Sequence, residues 1–156
     1  MPYVVDAPAL VSVPLQAPDP ADVFTSMVEF VKNNELCYAN EVVDELGRTA
    51  RGEQPLMWAQ ACAGNRCNRG AAYNYAEWVG HDFPDIVDTT ARDTQESAAP
   101  YVVAQALELR DAGLEVTVVT EDVHRKPTRA SVREACEHFE LRCITLGEFL
   151  AETGLD

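Results

Sequence analysis

The sequence predicts an α/β fold: one domain over residues 1–156, built on a central parallel sheet of four or five strands with helices on both faces. Three observations predict it. Short apolar runs rich in β-branched residues recur along the chain, and two end in a carboxylate, Tyr3-Val4-Val5-Asp6 and Val116-Thr117-Val118-Val119-Thr120-Glu121-Asp122. Stretches with helical apolar spacing lie between such runs on short links, and strand–helix alternation of this kind gives a parallel sheet covered on both faces. At 156 residues and 47% hydrophobic, without internal repeat or low-complexity linker, the chain suffices for one core.

Residues 2–6 read as a buried strand, apolar without polar alternation. Asp19-Pro20 is a helix start, an N-cap acid followed by proline at the first helical position. Val23, Met27, Phe30 and Val31 supply its core stripe to about residue 34. Leu36-Cys37-Tyr38 reads as a short strand, and Asn40 as the cap of a helix carrying Val42, Val43 and Leu46 to about residue 51. Residues 50–95 read as a helical insertion with no motif to give it a role. Leu56, Met57, Ala59, Ala61, Tyr73, Tyr75, Trp78 and Val79 suggest two or three short helices, broken at Gly64-Asn65 and Asn68-Arg69-Gly70. A helix over 98–112 follows, stopped by Gly113. Then come a strand over 115–119, a helix over 131–139, a strand over 141–145 and a final helix over 146–152.

The formal net charge of −14 argues against a general nucleic-acid binder, but the distribution of cations qualifies the sum. Arg125, Lys126, Arg129 and Arg133 follow Asp122, and Arg48 and Arg51 follow Glu45. Cations thus cluster beside acids, as a site gripping a phosphate backbone requires; solvated helix faces are the plainer reading. No stretch is apolar enough to span a membrane, and Met1-Pro2-Tyr3 runs straight into a strand without a leader, so a cytoplasmic location is expected. The five cysteines are odd in number, which argues against a complete disulfide framework and for free thiols, with Cys143 buried. Cys62 and Cys67 are the close pair, and the dispersed His81, His124 and His138 complete no zinc site. The aromatics between Leu56 and Tyr101, with Arg66 and Arg69, either stack on unpaired bases or form core.

Parallel strands deliver residues to the crevice at their carboxyl ends, so Asp6 and Asp122 are expected to meet there. Gathered carboxylates repel one another unless a divalent cation neutralises them, and Mg²⁺ or Mn²⁺ suits hard oxygen ligands. Each acid also has a plainer role. Asp6 can cap the segment after its strand, Asp122 can be a turn residue, and Glu45 has acidic neighbours in Glu41 and Asp44, with Glu41 one turn away as substitute.

The ordered set Asp6, Glu45-Leu46 and Thr120-x-Asp122, with the terminal stretch Leu141-Arg142-Cys143-Ile144-Thr145-Leu146-Gly147-Glu148-Phe149-Leu150, resembles the PIN-domain family, in particular the VapC-type toxins of toxin–antitoxin pairs and their PIN-like relatives. About half of the chain carries the resemblance. Two positions depart from the pattern: Ala7 stands where the family places a hydroxyl after the first acid, and Ala99 stands where its third acid belongs. Ala99 has three readings: an introduced inactivating substitution, a naturally degenerate site, or Glu96 filling in from about one turn earlier.

The resemblance implies a Mg²⁺- or Mn²⁺-dependent endoribonuclease, catalytically impaired at position 99. Asp6, Glu45 and Asp122 would be its catalytic and metal-binding acids, with Glu96 as a further candidate. Thr120 would hydrogen-bond Asp6 or a water at the metal, while Arg48, Arg125 and Lys126 would contact phosphates. The implied partners are an RNA substrate, a cognate antitoxin protein with a basic tail, and a second copy of the chain; no membrane is involved. The alternative is a non-catalytic PIN-like module that binds RNA or a protein. A haloacid-dehalogenase-type site would need an acid where Pro8 stands, and a response-regulator receiver would need a further acid pair and a late lysine.

Overall fold

The computed structural model describes residues 2–64, 67, 72–90 and 97–155. Its centre is a four-stranded, wholly parallel sheet of β1 (Tyr3–Val5), β2 (Leu36–Cys37), β3 (Thr117–Val119) and β4 (Arg142–Ile144) in the order β2-β1-β3-β4. Among the described residues eight α-helices flank it: α1 (Ala7–Gln16), α2 (Pro20–Lys32), α3 (Asn40–Thr49), α4 (Gln54–Cys62), α5 (Tyr73–Asp82), α6 (Ala99–Asp111), α7 (Val132–His138) and α8 (Leu146–Thr153). The expected α/β class with a parallel sheet is the one found.

The strand order places the functional end. From β1 the chain crosses to β2 on one side, whereas β3 and β4 lie on the other, so the topology reverses between β1 and β3. In an open α/β sheet such a reversal leaves a crevice beyond the strands' carboxyl ends. Val4, Val5, Val118 and Val119 are fully or almost fully buried, which explains the unbroken apolar runs. The ladder continues one residue past the strands: Asp6 N–H donates to the Val119 carbonyl (3.1 Å), and Thr120 N–H to that of Ile144 (3.0 Å). Asp6 and Thr120 therefore emerge side by side.

Local signals set most element boundaries. Asp19 caps α2 by accepting from Asp22 N–H (3.2 Å), with Pro20 at the first position as expected. Ser131 with Glu134, and Thr145 with Glu148, form reciprocal capping boxes on α7 and α8. Gly113, at φ +91°, ends the turn after α6, in backbone geometry that suits a residue lacking Cβ.

Two features differ from expectation, and the stretch between Asp6 and Asp19, which the sequence leaves unassigned, forms a helix, α1. Its Pro8 occupies the first turn, where no helical N–H bond is lost, and Pro14 lies exposed near its end. Asn40 is inside α3 rather than its cap; the cap position is Ala39, and no side-chain bond is made there. Cys37 and Cys67 form a disulfide, with Cα atoms 5.4 Å apart, whereas Cys62 and Cys136 are buried outside it and Cys143 is only half-buried. Tertiary proximity between β2 and the segment after α4 decides this pairing, and a separation of 30 residues conceals it in the sequence.

The stretch after α3 belongs partly to the core. Trp58 is buried against Phe24 and Tyr38, with its indole N–H donating to the Phe24 carbonyl (3.0 Å). Tyr73 is exposed and Trp78 partly so. Arg66, Arg69 and the breaks at Asn65 and 68–70 lie outside the described residues, as does Glu96. No helix among the described residues is long and apolar enough to cross a membrane.

Candidate functional site

Asp6 closes β1 and opens α1. Its Oδ1 accepts from Ala9 N–H (2.8 Å), which caps the helix. Its Oδ2 accepts from the Thr120 hydroxyl, and Thr120 Oγ1 in turn accepts from Asp122 N–H (2.9 Å). Of the two partners expected for Thr120, this is the acid. Asp6 is 2% exposed, and its pKa is pushed up to about 7. Burial is the chief cause; the bonds from Thr120 and Ala9 oppose it, while the charges of Asp122 and Glu45 add to it. That electrostatic coupling marks the three acids as neighbours.

Asp122 is also 2% exposed. Its Oδ2 accepts from the Arg129 guanidinium (2.7 Å) and from Val132 N–H at the start of α7 (3.2 Å). Its Oδ1 is buried with no hydrogen-bond partner among the described residues; the Lys126 ammonium lies 3.8 Å away. Glu45, half-buried on α3, reaches across to the start of α6, where Oε1 accepts from Ala98 N–H (2.8 Å) and the Ser97 hydroxyl (3.3 Å). It supplies the cap that Ala98 lacks.

These groups line one narrow cleft of about 10 Å³, space for roughly one water. Asp6, Glu45, Ala99, Asp122 and Arg129 all contribute to its wall, so Ala99 faces the same space as the three acids. Glu41 does not line it, which favours Glu45 of the two candidates on α3.

The candidate phosphate contacts separate. Arg48 lies beside the cleft, in a groove of about 420 Å³ that it shares with Glu45, Thr49, Ser97 and Arg129. Arg125 pairs with Asp85 (3.1 Å) and Glu134 (3.6 Å). Lys126 leans over Asp122. Among the described cations of this run Arg129 turns inward, its side chain 11% exposed, and the sequence does not distinguish it from its basic neighbours. Only the position of its loop reveals it: Ala130 N–H bonds the Asp85 carbonyl (2.7 Å), and Lys126 N–H that of Arg129 (2.9 Å). Ser97 likewise gave no signal beyond adjoining the helix start.

Oxygen donors of three carboxylates, with the buried Oδ1 of Asp122 unpartnered, suit a hard divalent cation in kind. As placed, however, no three acidic, histidine or cysteine side chains among the described residues stand together as a metal-holding group. The Arg129 guanidinium balances the charge of Asp122 in this arrangement.

Fold and cleft together define a parallel α/β protein with an acid cluster at its switch point. Residues 3–156 match the model of the family described as domain of unknown function DUF4411, and the chain belongs to that family. No curated protein matches it.

Proposed function

We propose that the protein is a divalent-metal-dependent endoribonuclease of the PIN type, acting as the toxin of a toxin–antitoxin pair, with catalysis weakened by alanine at position 99. One observation carries the reading: Asp6, Glu45 and Asp122, from three separate elements, line one cleft with Ala99, where Asp122 Oδ1 is buried without a hydrogen bond. Each acid also bonds a helix start, but gathering three carboxylates in one place costs like-charge repulsion, which supports a role beyond the fold.

Asp6, Glu45 and Asp122 would hold Mg²⁺ or Mn²⁺. When bound, the cation would supply charge neutralisation at the phosphate and a more acidic water. Thr120 fixes the orientation of Asp6 through Oδ2. Both described bonds of Glu45 fall on Oε1, which leaves Oε2 as the atom to take a proton from attacking water. Arg48, Arg125 and Lys126 grip the RNA backbone, giving affinity that falls as salt rises. A basic antitoxin tail and a second copy of the chain are the further partners of this reading.

The test is cleavage of structured and single-stranded RNA by this chain and its Ala99→Asp variant, in Mn²⁺ or EDTA. The variant is expected to cleave at least about 100-fold faster than the parent, with Mn²⁺ only. Inactivity of both on every RNA would sink the proposal. That outcome would favour a non-catalytic module binding RNA or a protein, a reading that Ala99 and the Arg129–Asp122 pair already support.

A further inference from the structure

Two thiols that the acid cleft does not use lie together between α7 and β4. Cys136 is fully buried on the helix, and Cys143, half-buried, is the middle residue of the strand that ends the described sheet. Their side chains are hydrogen-bonded to each other across the helix–strand contact. The chain between them folds back tightly, with Leu141 N–H donating to the Cys136 carbonyl (2.8 Å) before β4 begins. Both cysteines adjoin supports of the acids. Cys136 is one turn along α7 from Val132, whose N–H holds Asp122, and Cys143 precedes Ile144, whose carbonyl receives Thr120 N–H. Access divides the pair into two roles. The Cys136 thiol donates to Cys143, so Cys136 keeps its proton while the pKa of Cys143 is lowered; Arg133 assists, whereas burial, Asp6 and Glu137 oppose. The more accessible sulfur thus carries the thiolate character, with a second thiol in contact to resolve what forms on it.

We infer that Cys136 and Cys143 are an oxidation-responsive pair, which hydrogen peroxide converts into a disulfide between α7 and β4. The Cys143 thiolate attacks one peroxide oxygen and the O–O bond breaks. Cys143 becomes a sulfenic acid, and the other oxygen leaves as hydroxide, which takes up the proton that Cys143 released and becomes water. The Cys136 sulfur then attacks the Cys143 sulfur. The S–S bond forms, the S–O bond breaks, and the Cys136 proton departs with the hydroxyl as a second water. The two thiols together lose two electrons, and the peroxide gains them. This inference needs neither metal nor RNA, so it goes beyond the nuclease reading and does not depend on it.

Two measurements on the full chain test this. In the first, the folded protein is exposed to hydrogen peroxide, its remaining thiols are blocked with iodoacetamide, and it is digested with trypsin without reductant. Cleavage after Arg133 and Arg142 puts the two cysteines on separate peptides, 134–142 and 143–156. The expected product is these peptides joined, two hydrogens lighter than their sum and parted by dithiothreitol. It should form at least about tenfold faster than buried Cys62 is oxidised. Oxygen added to Cys143 without the joined peptides, Cys143 joined to any other cysteine, or Cys62 oxidised as fast, overturns the inference. The second measurement is dimedone trapping in Cys136→Ser under the same peroxide. Without its resolving thiol, Cys143 is expected to stop at the sulfenic acid and carry the dimedone adduct. A folded variant in which Cys143 takes no dimedone overturns the assignment of Cys143 as the attacking sulfur. The first measurement needs no substitution and decides the matter should Cys136→Ser fail to fold.

Discussion

Asp6 serves three structures at once: it ends a strand, caps a helix and faces two other acids. The cost falls on its ionisation. Its pKa rises from 3.8 to about 7 on folding, so between those values the folded chain holds a proton that the unfolded chain has released. The sign follows: the stability this group contributes is present at pH 4 and is lost as pH rises through 7. Over that span the difference is on the order of 4 kcal/mol. Asp6→Asn keeps an acceptor for Ala9 N–H and removes the titration. In EDTA, the melting temperature of the variant relative to the parent is expected to climb between pH 4 and pH 8; a constant offset would contradict the assignment. Position 99 has a related consequence. An added carboxylate in so tight a cleft repels its neighbours, so Ala99→Asp should melt lower than the parent in EDTA and recover with Mn²⁺. Equal melting in EDTA would place residue 99 away from the acids. The sequence made Asp6 and Asp122 legible because acids after apolar strands have few ordinary reasons to be there. It made Arg129 no more visible than Arg125 or Arg133, since one loop alone decides which cation turns inward.

Elements were legible where a local signal closes them. Asp19-Pro20 opens α2, Ser131 opens α7 and Gly113 follows α6, each through backbone chemistry that needs no tertiary context. Ser131 shows how much such a signal contributes: its hydroxyl accepts from Glu134 N–H (3.1 Å), and Glu134 accepts from Ser131 N–H (2.7 Å). Because Val132, the first residue of α7, also donates to Asp122, this cap helps place the acid. Ser131→Ala is expected to destabilise the fold by about 1 kcal/mol in urea denaturation. A loss below experimental error would mean that packing alone sets the start of α7. Helix α1 was the element obscured. Two prolines interrupt the stretch, although Ala9, Leu10, Val13 and Ala17 carry the helical spacing and are all buried. The periodic signal was present, but proline masked it.

At the scale of the molecule, the parallel sheet and its switch point follow from alternation of elements and explain why acids distant in sequence converge. Distance in sequence also hid what no alternation rule predicts, the Cys37–Cys67 disulfide joining β2 to the segment after α4. An odd cysteine count is compatible with one bridge and three thiols, and only the tertiary fold chooses the partners. Thiol titration in denaturant should therefore find three free thiols without reductant and five with it; five in both conditions would exclude the bridge. Closing a loop of 30 residues is worth about 3 to 4 kcal/mol in the chain-entropy account, so Cys67→Ser should lower stability by that order.

The central claim, that the acid cleft at the switch point is a divalent-cation site, is tested most directly by anomalous diffraction from crystals of this chain grown with Mn²⁺. The account predicts a manganese peak in the cleft lined by Asp6, Glu45 and Asp122. A cleft without anomalous signal at millimolar Mn²⁺ would contradict it.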